Sequence, residues 1–442
     1  MLNLLSENKK NVVKRYSGIA VKLFLFFIFY LLPFTFLYGV DVYLKLTAHG
    51  QRIKIGLANF TSFPADIQNI ELARKIQNVT KKDLLFTRYF DIIDLNYVLA
   101  EKNPDLKIWQ NQNIDVILVG KLKIKEKNCM LTAKLYEVES GEIIFEKDFK
   151  GTIENYREIA HEINDEIVLR FTGQRGIAHS KIVFVNDSTG SKEIYVVDYD
   201  GFNIKKLTNY NSISIFPKWS PDGSRILFTS FVYGNPDLFV MNADGSGKRA
   251  VSTLQGLNTT PAWSPDGNSV ILTISKGGSP NLYEIDLNGK YLKRLTFGNS
   301  IDTSPYFSPN GKNFVFVSDR PGYPQLYIMD VDGTNIKRIY TDGYSDSPCW
   351  SPQGDKIVFT MRQPGFSMFD IYLYEISGGK ISQLTFDSGS NESPSFSPDG
   401  RFIVFCSTRN KKKEIFVMFV DGSLQYRLFE MKGHSFMPHW SP

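Results

Sequence analysis

One short motif recurs six times in the second half of this chain, and it constrains the fold more than any other feature. It reads Trp219-Ser-Pro-Asp-Gly223, Trp263-Ser-Pro-Asp-Gly267, Phe307-Ser-Pro-Asn-Gly311, Trp350-Ser-Pro-Gln-Gly354, Phe396-Ser-Pro-Asp-Gly400 and Trp440-Ser-Pro442. The aromatic residues stand 44, 44, 43, 46 and 44 residues apart. A second set runs out of phase with the first: Leu207-Thr208, Val251-Ser252, Leu295-Thr296, Ile339-Tyr340, Leu384-Thr385 and Leu428-Phe429. A fixed period of this length means one supersecondary unit repeated in space.

Each period holds four β-like pieces. In the second full copy they are Pro261–Trp263, Val270–Ile274, Asn281–Asp286 and Leu292–Thr296. Pro-Asp-Gly turns the chain after the first piece, because Pro presets the bend and Gly accepts positive φ. Asn288-Gly289, Asp332-Gly333 and Asp421-Gly422 are hairpin turns between the third and fourth pieces. Four short strands per period describe a propeller blade, and six copies predict an all-β six-bladed β-propeller over residues 176–442. The first copy opens at Ser180–Val185 as a second strand, and Trp440-Ser-Pro442 ends just after a first strand. The C-terminal segment is therefore expected to complete the blade begun by residues 180–208, which removes an exposed edge.

Residues 40–175 read as a small α/β domain preceding the propeller. Ile53, Ile55 and Leu57 alternate with Arg52, Lys54 and Gly56 as in a half-buried strand. A helical stretch follows, with Ile67, Ile70, Ile76 and Val79 near helical spacing, and then a short strand at Phe90–Ile93. Asp115–Ile124, Cys129–Val138 and Ile143–Phe149 are strands joined by polar turns. Tyr156, Ile159, Ile163, Ile167 and Phe171 form one helix face within Thr152–Phe171, stopped by Gly173 and Gly176. His161, inside that helix, reads as a packing or hydrogen-bonding residue.

Residues 1–39 read as an address. Lys9, Lys10, Lys14, Arg15 and Lys22 precede the apolar run Leu23–Leu37, which gives way to Tyr38-Gly39. This is the pattern of a secretory signal peptide; an uncleaved N-terminal membrane anchor is the rival. Both place the rest of the chain outside the cytoplasm. The formal charge is +5, but these 39 residues hold +4 of it. A body so close to neutral excludes nucleic acid as an electrostatic partner.

Catalytic patterns are missing. There is no G-x-G-x-x-G and no phosphate loop, and Gly433-His434-Ser435 lacks the rest of a nucleophile elbow. His434 and His439 are predicted on opposite strand faces, and the Asp residues of the turns lack the ligand series of a calcium loop. Lys411-Lys412-Lys413 reads as a solvated loop. Cys129, Cys349 and Cys406 read as three buried thiols, with one disulfide the alternative. No enzyme activity, cofactor or metal is expected.

Together these pieces resemble the TolB family, periplasmic components of the Tol–Pal envelope system. The resemblance rests on the leader, Trp109-Gln110 with Ile114–Gly120, the stretch Ala160–Gly173 and the six repeats. It implies a monomeric adaptor with two protein partners. The lipoprotein Pal is expected at the propeller mouth, at Leu257, Asn258, Thr259, Thr260, Asp302, Thr303, Ser304, Tyr344, Asp346, Asn391, Glu392 and Phe436. TolA is expected on an N-terminal arm of Val40, Asp41, Val42, Tyr43, Leu44, Lys45 and Leu46, whose alternating apolar residues suit strand addition. The implied role is outer-membrane integrity and constriction during division. A secreted propeller binding a glycan or small ligand is the alternative, with Tyr233, Tyr323, Phe366 and Phe436 as stacking rings.

Overall fold

The computed structural model describes residues 52–99, 106–110, 112–276 and 278–442. The expected leader and N-terminal arm lie outside them.

The α/β unit is one mixed sheet backed by two helices. Strands β1 (Ile53–Leu57), β2 (Thr61–Phe63), β3 (Phe90–Asp94), β4 (Val116–Lys125), β5 (Asn128–Glu137) and β6 (Ile143–Thr152) order as β3-β1-β4-β5-β6, with β2 alongside β4. Helix α1 (Ile67–Thr87) starts at Asp66, whose carboxylate accepts from the Asn69 N–H at 2.9 Å, an N-cap. It buries Leu72, Ala73, Ile76, Val79 and Leu84, whereas Ile67 and Ile70 are exposed. The first turn runs beyond the sheet, so only the later part of the expected apolar face is covered. Helix α2 (Lys107–Gln110) and β2 are too short to carry a periodic signal. In α3 (Tyr156–Thr172) the expected face of Ile159, Ile163, Ile167 and Phe171 is buried against the same core.

Beyond Lys181 lie six four-stranded antiparallel sheets, and the blade order is that of the repeats. Five blades are continuous in sequence; the sixth takes its inner strand, Ser435–Trp440, from the C-terminal end and pairs it with Lys181–Asn186.

The serine of each Trp/Phe-Ser-Pro copy has one task. Its hydroxyl accepts the backbone N–H that opens the next strand: Arg225 on Ser220 at 2.9 Å, Ser269 on Ser264 at 2.9 Å, Phe402 on Ser397 at 3.0 Å. In the composite blade Ser441 accepts from Lys181 at 2.9 Å, so the same bond spans the chain ends. The Thr of the second repeat set does the corresponding work further out, where Thr208, Thr296 and Thr385 accept from Ile194, Leu282 and Ile371 at 2.8–2.9 Å. Buried N–H groups that the sheet ladder leaves open are thus satisfied by short side chains at fixed offsets.

The α/β unit packs on one side of the propeller end where first strands turn into second and third into fourth, against the composite blade and the blade before it. Phe86 stacks on Phe402 at 4.5 Å and meets Tyr199 edge-on at 5.1 Å. Arg401 lies over the Tyr89 ring at 3.9 Å. Asp83 accepts from the Tyr199 hydroxyl at 2.6 Å and pairs with His161 Nδ1 at 2.7 Å. Burial works against a charge on His161, but the bond and charge of Asp83 outweigh it and hold the imidazole above its ordinary value. The opposite end of the propeller stays open.

Candidate binding surface at the propeller mouth

Six inner strands converge on that open end with one backbone device in common. Each carries a non-glycine residue at positive φ immediately before a proline: Phe216-Pro217, Thr260-Pro261, Ser304-Pro305, Ser347-Pro348, Ser393-Pro394 and Met437-Pro438, with φ between 49° and 55°. The proline cannot donate a ladder hydrogen bond, and the register of every inner strand slips there as a bulge. The bulge bends the strand and ends simple alternation. These six residues and their prolines line the throat.

The predicted mouth residues all lie at the entrances of inner strands, but they divide by burial. Asn258, Asp302 and Asn391 are fully buried. Asn258 accepts from the Ser252 hydroxyl at 2.7 Å, Asp302 pairs with Arg320 at 2.9 Å, and Asn391 accepts from Arg409 at 3.2 Å. Their side chains hold the loops together and shape the rim from beneath. Phe436 is also buried, with Lys192 and Lys413 over its ring at 5.7 and 5.8 Å.

Of the others, Thr260 and Ser304 line the throat, and the rest stand around it. Thr260, Thr273 and Thr303 form a hydroxyl cluster with oxygens 2.7–3.3 Å apart, and the Ser304 N–H donates to Thr260 at 3.3 Å. The arc continues through the Ser304 hydroxyl, which donates to Asp346 at 3.1 Å, while the Ser347 N–H donates to the same carboxylate at 2.6 Å. Burial pushes Asp346 above the usual carboxylate range, those two donors oppose the rise, and nearby Glu392 adds to it. Glu392 accepts from Ser390 at 2.8 Å and pairs with Lys413 at 3.5 Å. Thr259 and Tyr344 are half-buried, and Leu257 is exposed. Lys413, read in the sequence as part of a solvated run, is held at the rim.

Around this throat the loops expose large apolar side chains: Ile213, Tyr233, Ile301, Tyr323, Phe366 and Met368, alongside Leu257. A ring of such residues about a polar centre suits a protein partner more than a small polar solute.

Two domain profiles of one family match this chain. The profile of the TolB beta propeller domain covers residues 168–442, and that of the TolB amino-terminal domain covers residues 46–144. The chain belongs to the TolB family. Among curated TolB proteins, the Tol-Pal system protein TolB of Geobacter sulfurreducens is 36% identical over 196 residues, 42% of this chain and 44% of that one. The Tol-Pal system protein TolB of Geobacter metallireducens is 42% identical over 119 residues, 27% of this chain and 28% of that one. The aligned segments therefore span less than half the length of these TolB relatives. The crystal structure of TolB from Acinetobacter baumannii superposes with a TM-score of 0.77 at 26% identity, covering 89% of this chain and 97% of that one.

Away from the mouth, His161, Asp198 and Asp200 bring donor atoms within 4.8 Å of one another at the junction of the two units. The His161 Nε2 has no partner, but both carboxylates already hold cations, Lys181 on Asp198 at 2.5 Å and Arg157 on Asp200. Little negative charge is left there for a metal. Cys129, Cys349 and Cys406 are free thiols and buried.

The sequence marks Cys349 as a buried thiol and sets His439 against His434, but it does not bring together the residues that stand deeper, below the prolines. Lys218, Tyr306, Cys349 and His439 each occupy the position before the repeat aromatic. Aligning the six copies on Trp or Phe would have shown that this one position varies from Lys to Ala to Tyr to Cys to Ser to His.

Proposed function

We propose that this protein is a non-catalytic periplasmic adaptor of the Tol–Pal system, which binds the lipoprotein Pal at the propeller mouth and TolA through residues 40–46. In this role it maintains the outer membrane and its constriction during division. The observation that carries the reading is the mouth itself: an open throat of hydroxyls and one acidic arc, ringed by exposed apolar side chains on a rigid frame. Family membership and the name of the Geobacter sulfurreducens relative, a Tol-Pal system protein, support it. The signal-peptide-like leader supports a periplasmic location. No helix among the described residues is long and apolar enough to cross a membrane.

The test is a calorimetric titration of the chain from residue 40 into the soluble domain of Pal from the same organism. One-to-one binding is expected, weakened at least about tenfold by Leu257→Arg or Thr303→Arg, because a long cation at the rim blocks docking. Heat from Pal that is indifferent to both changes would move the site elsewhere. No heat from a folded sample would favour a glycan or small-ligand module, for which Tyr233, Tyr323 and Phe366 present exposed rings.

A further inference from the structure

Below the throat the six inner strands place one side chain each in a single layer of the channel: Lys218, Ala262, Tyr306, Cys349, Ser395 and His439. Lys218 lines both the throat and the cavity beneath it, so it stands at the waist between them. Among the described residues its ammonium has neither a hydrogen-bond partner nor an ion pair. The centre of the Tyr306 ring lies 5.5 Å from it. Burial in the channel holds Lys218 below its ordinary value, because the channel wall solvates an ammonium less well than bulk water does.

The rest of the layer offers donors and no carboxylate. His439 Nδ1 accepts from the Trp219 N–H at 3.2 Å, so the neutral ring carries its proton on Nε2, where no protein acceptor meets it. Burial, then the charge of Lys218, keeps this imidazole neutral by holding it well below its ordinary value. Ser395 is used by the Trp440 N–H at 3.1 Å. The layer thus offers the Lys218 ammonium no carboxylate counter-charge.

Under the layer the channel widens to a cavity of about 340 Å³. Its wall is chiefly the six repeat aromatics and the prolines two residues after each, from Trp219 and Pro221 round to Trp440 and Pro442, with the repeat serines of five copies between them. Pro221, Pro309, Pro352 and Pro442 are exposed, so this end is open to solvent. An apolar cavity of that size, closed at its inner end by a single charged group, has the form of a small-molecule pocket.

We propose that this cavity binds a small organic monoanion, a carboxylic acid whose carboxylate pairs with Lys218 Nζ while its apolar body lies against the tryptophan and proline wall. The site is separate from the mouth, and this inference does not depend on what docks there. A half-buried ammonium gains most from a partner that brings its own charge and excludes the remaining water. The aromatic wall accepts a ring or a short alkyl chain and holds no second cation for a second charge.

The experiment uses the purified protein and follows tryptophan fluorescence, since four of its five tryptophans line the cavity. Phenylacetate, 2-phenylethanol and acetate are the probes. Phenylacetate is expected to saturate one site, with the alcohol and acetate each at least about tenfold weaker, because one lacks the charge and the other the ring. Lys218→Met, which keeps the stem and removes the ammonium, is expected to weaken phenylacetate by at least about tenfold with its melting curve retained. No saturation by about 10 mM phenylacetate, equal affinity for acid and alcohol, or full binding by a folded Lys218→Met would each overturn the proposal. Should that variant fail to fold, the preference for acid over alcohol in the unaltered chain decides alone.

Discussion

The indole Nε1 of Trp440 donates to the hydroxyl of Ser180 at 2.8 Å, joining residues 260 positions apart in the chain. Both groups are buried; the indole N–H has this one partner, while the Ser180 hydroxyl also donates to the Ile177 carbonyl at 2.6 Å. Together with Ser441 on the Lys181 N–H, this contact fastens the composite blade.

Trp440→Phe should therefore lower unfolding free energy by about 0.5–1.5 kcal/mol, the net value of one lost hydrogen bond, since the Ser180 hydroxyl keeps its bond to the Ile177 carbonyl. Trp440→Ala adds a cavity and should cost about 3–5 kcal/mol. Urea denaturation measures both. A Trp440→Ala protein as stable as its parent would mean the clasp does not hold the ring.

The junction of the two units should weaken as pH rises. His161 is held above its ordinary value, so its contribution is complete below about pH 6.5 and is lost as pH climbs through the raised value. Burial also raises Asp83, so it too binds its proton more tightly in the folded state, and its effect has the same sign. Stability measured from pH 6 to 8 should fall less steeply in His161→Gln than in the parent. Parallel curves would show that the pair does not titrate in this range.

The three thiols should resist alkylation. Burial pushes Cys406 up to about 12 and raises Cys349 and Cys129 as well, so almost no thiolate is present at pH 8. Iodoacetamide followed by mass measurement should add nothing to the native protein and three groups after unfolding in guanidinium. Rapid native labelling at any one site would contradict the packing around it.

Gly201 has φ 88°, and a Cβ there would lie 2.3 Å from the Leu428 carbonyl oxygen of the neighbouring blade. Gly201→Ala combines left-handed strain with a clash against backbone and should cost about 1–3 kcal/mol. Gly190→Ala, at φ 85° with open space around it, separates the two effects and should cost less. Equal losses in thermal melts would assign the whole cost to backbone strain.

The architecture was legible because its signals are local and repeated. Trp-Ser-Pro-Asp-Gly announces a strand end, a turn and the serine that secures the next strand, and six copies leave one plausible closure. In the α/β unit, Ile67 and Ile70 mislead because periodicity marks a face without saying how far the covering sheet extends. The mouth was legible only by position. Asn258, Asp302 and Asn391 look like rim contacts, being polar residues at strand entrances, yet they are buried. A two-residue period cannot assign them, because the positive-φ bulge two residues later resets which face each side chain takes. Lys218 stayed hidden for the same reason: nothing in the local sequence tells a channel lysine from a solvated one.

The positive-φ and proline pair that shapes every inner strand separates scaffold from content. Since the bend is set by the backbone in all six strands, the residue just below it is free to be Lys, Ala, Tyr, Cys, Ser or His. Divergence can therefore rewrite the channel one letter at a time, each substitution tried in a socket that five unchanged copies keep in shape. The ring works as a six-position lock whose pins are changed without recasting the barrel.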